Sequence, residues 1–237
     1  MSDKKLIEKY IPKEKQQKAF KKLEKGYPVQ YIIGNVEFYN LTIKVNKNVL
    51  IPRFETEYLV DDVIRYVKKL GIQNPSILDI ATGSGCIALA LKKNLNGQVD
   101  AYDKSSKALK VAMENAKINN LDINFFKDNI KKHKAEKKYD VIVSNPPYVK
   151  KGSPVDKKIK YEPKMAIYAK DDGLYFYKII LQNYKDNLNK KSILAFEIGD
   201  NQGNILTTIA KSIFPNSNII LKKDLNNYDR YLFIINE

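Results

Sequence analysis

The chain has 237 residues, with 42 Lys plus Arg against 27 Asp plus Glu, a formal charge of +15, one Cys and no Trp. With 43% hydrophobic and 29% charged residues it is neither a disordered tail nor a fibrous protein, and it can bury the core of one full domain plus a small appendage. No stretch approaches the roughly 18 uninterrupted apolar residues of a membrane span, and Cys86 with His133 cannot supply a zinc site of the usual four ligands, so neither an internal disulfide nor a metal site is expected.

Residues 1–27 read as a short basic helical appendage, with Leu6 and Tyr10, then Phe20 and Leu23, at about helical spacing on either side of Pro12. The segment lacks an apolar signal core and carries Asp3, Glu8, Glu14 and Glu24, which points to a cytoplasmic address. A linker region, 28–55, follows; within it VEFYNLTIKV (36–45) shows the two-residue alternation of a β-hairpin around Tyr39-Asn40. After Pro52, Tyr58, Leu59, Asp62, Val63, Tyr66 and Val67 mark an amphipathic helix that ends near Gly71.

Short apolar runs then alternate with helical stretches. Strands are predicted at 76–81, 98–103, 123–126, 138–144 and 192–199, with helices at 84–95, 105–120, 173–188 and 201–214. Such alternation argues for a parallel sheet covered by helices on both faces. The end differs, because strands at 218–221 and 230–236 are separated by a connection too short for a parallel crossover, so the last strand should run antiparallel to its neighbour. The predicted class is α/β: a mostly parallel, seven-stranded Rossmann-like sheet with a reversed C-terminal hairpin, the architecture of S-adenosylmethionine-dependent methyltransferases, spanning 56–237. The longest irregular stretch is the loop from Lys150 to Lys170.

Two constellations carry chemistry. Asp79-Ile80-Ala81-Thr82-Gly83-Ser84-Gly85 falls where the first of these strands meets a helix; Gly83 and Gly85 permit a tight turn and close approach of a ligand to the backbone. Asp103 ends the second strand, where its carboxylate can accept both hydroxyls of a ribose or cap the next helix, although Ser105 is available as a cap. Asp128, after the third strand, could accept from an adenine amino group or be a loop residue. The fourth strand ends in Asn145-Pro146-Pro147-Tyr148. A planar NH₂ group offers two donors, which the side-chain carbonyl of Asn145 and the backbone carbonyl of Pro146 can accept. The prolines stiffen that pair and remove competing donors, and Tyr148 can stack on a flat substrate. Cys86 reads as a small packed residue and His133, in KKHK, as part of a solvated loop.

The tetrad resembles the [ND]-P-P-[YF] motif of methyltransferases acting on planar nitrogen. Together with Gln30-Tyr31-Ile32, Gly34, Glu37-Phe38, the run Val49 to Glu57, Glu162-Pro163, Phe196-Glu197-Ile198-Gly199 and Gln202, it is similar to the peptide chain release factor N5-glutamine methyltransferases from about Pro28 to the C-terminus. That resemblance implies methyl transfer from S-adenosylmethionine, with S-adenosylhomocysteine as product, to the glutamine amide of the Gly-Gly-Gln motif of release factors, tuning translation termination. It implies that Asp79, Ala81, Thr82, Gly83, Ser84, Gly85 and Asp103 hold the cofactor, with Asp128, Asn129 and Asn145 nearby, while Asn145, Pro146, Pro147 and Tyr148 hold the glutamine. Ala81 stands where the family usually has Gly, Phe54 where it has Pro, and residues 1–27 where it has a substantial helical docking domain.

The basic charge is almost all Lys, with only Arg53, Arg65 and Arg230, whereas specific readers of phosphates and bases favour the planar Arg fork. It reads as drift onto solvated surfaces, so a release factor and no stable nucleic-acid partner or membrane is expected. The competing readings are a nucleic-acid adenine N6-methyltransferase, which would share the tetrad, and a catalytically silent cofactor-binding module.

Overall fold

Ser2 accepts from the Lys5 amide and opens α1 (Asp3–Tyr10), and Pro12, which cannot continue a helix, separates it from α2 (Lys13–Glu24). The computed structural model describes residues 2–133 and 135–237. A short helix without a clear periodic signal, α3 (Val29–Ile33), follows Pro28 and ends at Gly34, whose φ of 92° only glycine adopts freely. Ile7, Ala19 and Val29 form a small core for these three helices, so the appendage's packing extends past residue 27 into the linker region.

The hairpin forms as predicted, with β1 (Asn35–Phe38) paired antiparallel to β2 (Leu41–Lys44) and both turn residues, Tyr39 and Asn40, at positive φ. α4 (Phe54–Lys69) follows, and Gly71 lies just beyond its end. The alternating region consists of β3 (Ser76–Ile80), α5 (Cys86–Asn94), β4 (Gln98–Asp103), α6 (Ser106–Ile118), β5 (Asn124–Lys127) and β6 (Tyr139–Ser144). After it come β7 (Val149–Lys150), β8 (Tyr168–Ala169), α7 (Tyr175–Tyr184), β9 (Leu188–Glu197), α8 (Gly203–Ile213), β10 (Asn218–Lys223) and β11 (Asp229–Asn236).

The main sheet has seven strands in the order β10-β11-β9-β6-β3-β4-β5. β3, β4, β5, β6 and β9 run parallel, and β11 lies antiparallel between β9 and β10, as the short connection requires. Along β3, Ile77 faces the core made with α4, α5 and α6, while Leu78 and Ile80 face the core made with α7 and α8. Both faces are therefore buried, which is why the strands read as near-continuous apolar runs. The chain moves from β3 outward through β4 and β5, then returns to β6 on the other side of β3. This reversal point, at the carboxyl ends of β3 and β6, is where an open α/β sheet forms a crevice.

Two boundaries differ from the sequence reading. β9 begins at Leu188, earlier than 192, because Leu188 pairs with Tyr139 before a register shift; the predicted helix correspondingly stops at Tyr184, where Asn187 closes a turn. The loop from Lys150 to Lys170 contains the paired β7 and β8 and two 3₁₀ turns. Glu162 fixes it to the body by accepting from the Ile51 amide at 2.9 Å and from Arg53 at 2.5 Å. Among the described residues no helix is long and apolar enough to cross a membrane, and no cluster of His, Cys, Asp and Glu suits a metal ion.

Candidate active site

β3 ends at Ile80, and the backbone then turns through three positive-φ residues, Ala81 (60°), Gly83 (57°) and Gly85 (82°), before α5 starts at Cys86. The amides of this turn are taken up within the protein: Thr82 donates to the Tyr102 carbonyl at 3.0 Å, Gly83 to Asp103 Oδ2 at 3.0 Å and Gly85 to the Thr82 carbonyl at 2.8 Å, so the turn is a braced wall that a ligand can approach closely. A Cβ on Gly83 would meet only the Ala81 carbonyl, at 3.9 Å, so the space above it is open; a Cβ on Gly85 would press on Ala112 at 3.2 Å. Ala81 is the one residue of the turn that pays for its geometry with a side chain. A left-handed alanine carries about 1 kcal/mol of strain, and Ala81→Gly should raise the unfolding free energy by roughly 0.5 kcal/mol after glycine's greater unfolded-chain entropy is counted. A lower denaturation midpoint in that variant would contradict this.

Asp79 lies beneath the turn, fully buried. Its Oδ2 accepts from the Thr82 hydroxyl at 2.6 Å and the Ala88 amide at 3.2 Å, while Oδ1 has no hydrogen-bond partner among the described residues. Burial pushes its pKa up to about 7 against those two hydrogen bonds, with Asp103 adding to the rise. The folded chain therefore binds a proton here that the unfolded chain, titrating near 3.8, has released. Stability falls as pH rises through that window, by an amount on the order of a few kcal/mol. Asp79→Asn should remove this component from a plot of denaturation midpoint against pH; an unchanged slope between about pH 4 and pH 7 would refute the assignment.

Asp103 closes the other side. Its Oδ2 accepts from the Gly83 amide at 3.0 Å and its Oδ1 from the Ser105 amide at 2.7 Å, so it locks the glycine turn and begins the next connection. Ser105 takes the capping role, accepting from Ala108. Burial raises the Asp103 pKa, opposed by the backbone amides of Ser105, Gly83 and Lys104. Each oxygen keeps a lone pair for a hydroxyl donor.

Asn145 follows β6 directly beside the turn. Its Nδ2 donates to the Thr56 hydroxyl at 3.3 Å. No donor among the described residues bonds the Pro146 carbonyl. Pro146 and Pro147 are buried and Asn145 is half-buried. Tyr148 donates to Glu197 at 3.2 Å and packs with the α7–α8 core, and its carbonyl accepts from Gln202. Burial, with the Glu197 charge, raises its pKa. Its ring is thus an anchor of the turn rather than a free stacking face.

One cleft of about 980 Å³, counting its open mouth, joins these groups. Ala81, Thr82, Gly83, Ser84, Asp103, Asn129, Asn145 and Pro147 line it; Asp79, Gly85, Asp128, Pro146 and Tyr148 stand behind its walls. Asp128 is engaged elsewhere, accepting from the Asn129 amide at 2.6 Å and facing His133 Nδ1 at 2.5 Å. His133 corrects the expectation of a solvated loop: only 11% of its side chain is exposed, because the ring lies among Tyr102, Phe126 and Tyr184, with centroids 4.8 to 5.9 Å away. Cys86 is packed, as expected, and burial pushes its thiol up to about 12, far from a nucleophile's range. Thr56 and the Asn48–Arg53 side of the cleft carry no sequence signal of a role in it beyond the run from Val49 to Glu57 that contains most of them.

Known proteins resemble this chain in sequence and in fold. The family model "Methyltransferase small domain" matches residues 61–162. The chain is 41% identical to a release factor glutamine methyltransferase of Flavobacterium psychrophilum, over 89% of this chain and 76% of that protein. It is 37% identical to one of Bacillus cereus, over 93% and 82%. Among solved structures, a 16S rRNA methyltransferase of T. thermophilus in complex with AdoMet and guanosine superposes with a TM-score of 0.62 at 13% identity, covering 86% of this chain and 50% of that one, a likeness of fold alone.

Proposed function

The chain belongs to the release factor glutamine methyltransferase family, and from that premise we propose that it transfers a methyl group from S-adenosylmethionine to the side-chain amide nitrogen of a release-factor glutamine, the one in the Gly-Gly-Gln motif. The observation that carries the reading is the position of Asn145 on the same cleft as the glycine turn and Asp103, with its NH₂ group already tied to Thr56.

S-adenosylmethionine supplies an electrophilic methyl carbon, and its sulfur keeps the electron pair of the broken bond and leaves as neutral S-adenosylhomocysteine. The open space above Gly83 and the lone pairs left on Asp103 suit a nucleoside with a ribose diol. We assign Asp103 to the ribose, the turn from Ala81 to Gly85 to the remainder of the cofactor, and Asn129 to the adenine side. Asp79 supports the turn from below through Thr82 and Ala88, and Asp128 shapes the loop through Asn129 and His133.

An amide nitrogen is a poor nucleophile because its lone pair is delocalised, so the protein's task is orientation. Asn145 Oδ1 and the Pro146 carbonyl each accept one N–H of the glutamine, which aims the nitrogen and favours the positive charge that grows on it. Pro147 walls the cleft and Tyr148 anchors the turn. The amide proton passes to water once the new N–C bond exists, so no histidine base is required.

Residues 56–237 form the catalytic unit in this reading, residues 28–55 contribute the Asn48–Arg53 wall, and residues 1–27 belong to a docking region for the release factor. A release factor as substrate puts the reaction in the cytoplasm, and a basic charge that is almost all Lys, without the Arg forks that specific readers favour, fits a chain with no stable nucleic-acid partner. Incubation with methyl-labelled S-adenosylmethionine and either a release factor or adenine-containing DNA and RNA tests the assignment. Label in the release factor supports it; label in nucleic acid alone, or in neither, overturns it.

A further inference from the structure

Asn145 can present either edge of its amide to the cleft with almost no change of shape, because a half-turn about its last torsion exchanges C=O for NH₂. Only one edge suits an amide substrate: the carbonyl accepts an N–H, whereas an NH₂ would meet it donor to donor. We propose that Glu197 and Thr56 form a relay that selects the productive edge, making them positioning residues for methyl transfer. The inference rests on the reading of Asn145 as a substrate acceptor.

Glu197 ends β9 and is 2% exposed, and Thr56, in the first turn of α4, is equally buried. The Thr56 hydroxyl donates to Glu197 Oε2 at 2.6 Å, and the Tyr148 hydroxyl donates to Oε1 at 3.2 Å. A hydroxyl has a single proton. Once Thr56 has given its proton to a buried carboxylate, in a charge-assisted bond at short distance, its oxygen offers only lone pairs to Asn145. The group it can receive is the NH₂ edge, and Nδ2 is the atom found there, at 3.3 Å. A carbonyl turned the same way would face those lone pairs and the carboxylate behind them. Oδ1 is therefore left for the cleft.

Glu197 sets the direction of the whole chain of donors. Without its charge, an amide at the same position could donate to Thr56, the Thr56 proton would be free to point at Asn145, and the unproductive edge would be stabilised. Burial raises the Glu197 pKa, opposed by the Thr56 hydroxyl, the Arg230 charge, the Tyr148 hydroxyl and the Asn145 amide; in the structure both Glu197 oxygens accept a hydroxyl proton, which is the acceptor role the relay needs. The pairing is otherwise hard to explain as packing, since a buried carboxylate facing two hydroxyls is a costly way to fill space.

Three variants test the relay by the rate constant kcat, the KM for the release factor and the Kd for S-adenosylmethionine. Glu197→Gln should lower kcat by about 30-fold or more, and Thr56→Val by roughly 10-fold because Asn145 can still reach toward the carboxylate, each with Kd within about threefold of the parent. Thr56→Ser should recover most of the rate lost in Thr56→Val, since serine keeps the relay's oxygen and proton. Wild-type kcat in both Glu197→Gln and Thr56→Val would overturn the relay while loss of activity in Asn145→Ala left the site assignment standing. Full activity in Asn145→Ala would instead overturn the site assignment, and the relay with it. A fall in kcat matched by an equal loss of cofactor affinity, or no recovery in Thr56→Ser, would mark a general packing defect and also overturn the relay.

Discussion

Asn145→Ala should slow methyl transfer to the release-factor glutamine by roughly 100- to 1,000-fold, the range seen when one preorganised hydrogen-bonding group aimed at a developing charge is removed. Affinity for S-adenosylmethionine should stay within about threefold, because the groups assigned to the ribose and the turn, Asp103 and Ala81 to Gly85, are untouched. The substitution deletes the acceptor Oδ1 and also leaves the Thr56 hydroxyl without the Nδ2 donor it holds at 3.3 Å. The backbone of the tetrad should survive, since Pro146 and Pro147 limit its conformations and Gln202 holds the Tyr148 carbonyl at 3.1 Å. Single-turnover kinetics with calorimetry of cofactor binding separates the two effects. A drop in affinity as large as the drop in rate would move Asn145 from substrate orientation to cofactor binding.

Asp103→Ala should do the reverse, weakening S-adenosylmethionine binding by about 100-fold, as expected for losing charge-assisted hydrogen bonds to two hydroxyls. Part of that loss comes through the protein itself. The carboxylate accepts from the Gly83 and Ser105 amides, so its removal also loosens the turn that lines the cleft. At saturating cofactor the rate should recover to within about tenfold of the parent. An unchanged dissociation constant would remove Asp103 from the ribose site, and a low rate at saturation would show that the turn, not the ribose contact, is its main contribution.

Much of this fold was legible because its signals are local. Alternation at Val36 to Val45, the apolar runs of β3, β4 and β6, the Ser105 cap and the short connection before β11 each lie within a few neighbouring residues. The start of β9 was not, because Lys190 and Lys191 interrupt the apolar pattern where its pairing is set by Tyr139 on another strand. His133 was misread for a similar reason: a run of lysines surrounds it in sequence, but its ring partners Tyr102, Phe126 and Tyr184 come from three different elements, β4, β5 and α7.

The candidate site divides the same way. The glycine turn, Asp103 and Asn145 could be found because each falls at the carboxyl end of a predicted strand, where parallel sheets gather their ligands. The supporting contacts could not. Thr56 meets Glu197 across 141 positions of sequence and Ile51 meets Glu162 across 111, and no periodicity reports a pairing of that range. Asp128 and Tyr148 were visible as residue types in the right segments, yet the structure turns one toward His133 and the other toward Glu197. Motif position identified the neighbourhood, and side-chain hydrogen bonding decided which atoms face the cleft.

The proposed methyl acceptor is a glutamine amide nitrogen of a release factor. Peptide mass spectrometry of a release factor treated with this enzyme and S-adenosylmethionine locates the methyl group. A single added methyl group on the glutamine of the Gly-Gly-Gln motif, absent after treatment with Asn145→Ala, is the predicted result; a methyl group on any other residue, or an unmodified release factor beside methylated adenine in nucleic acid, would contradict it.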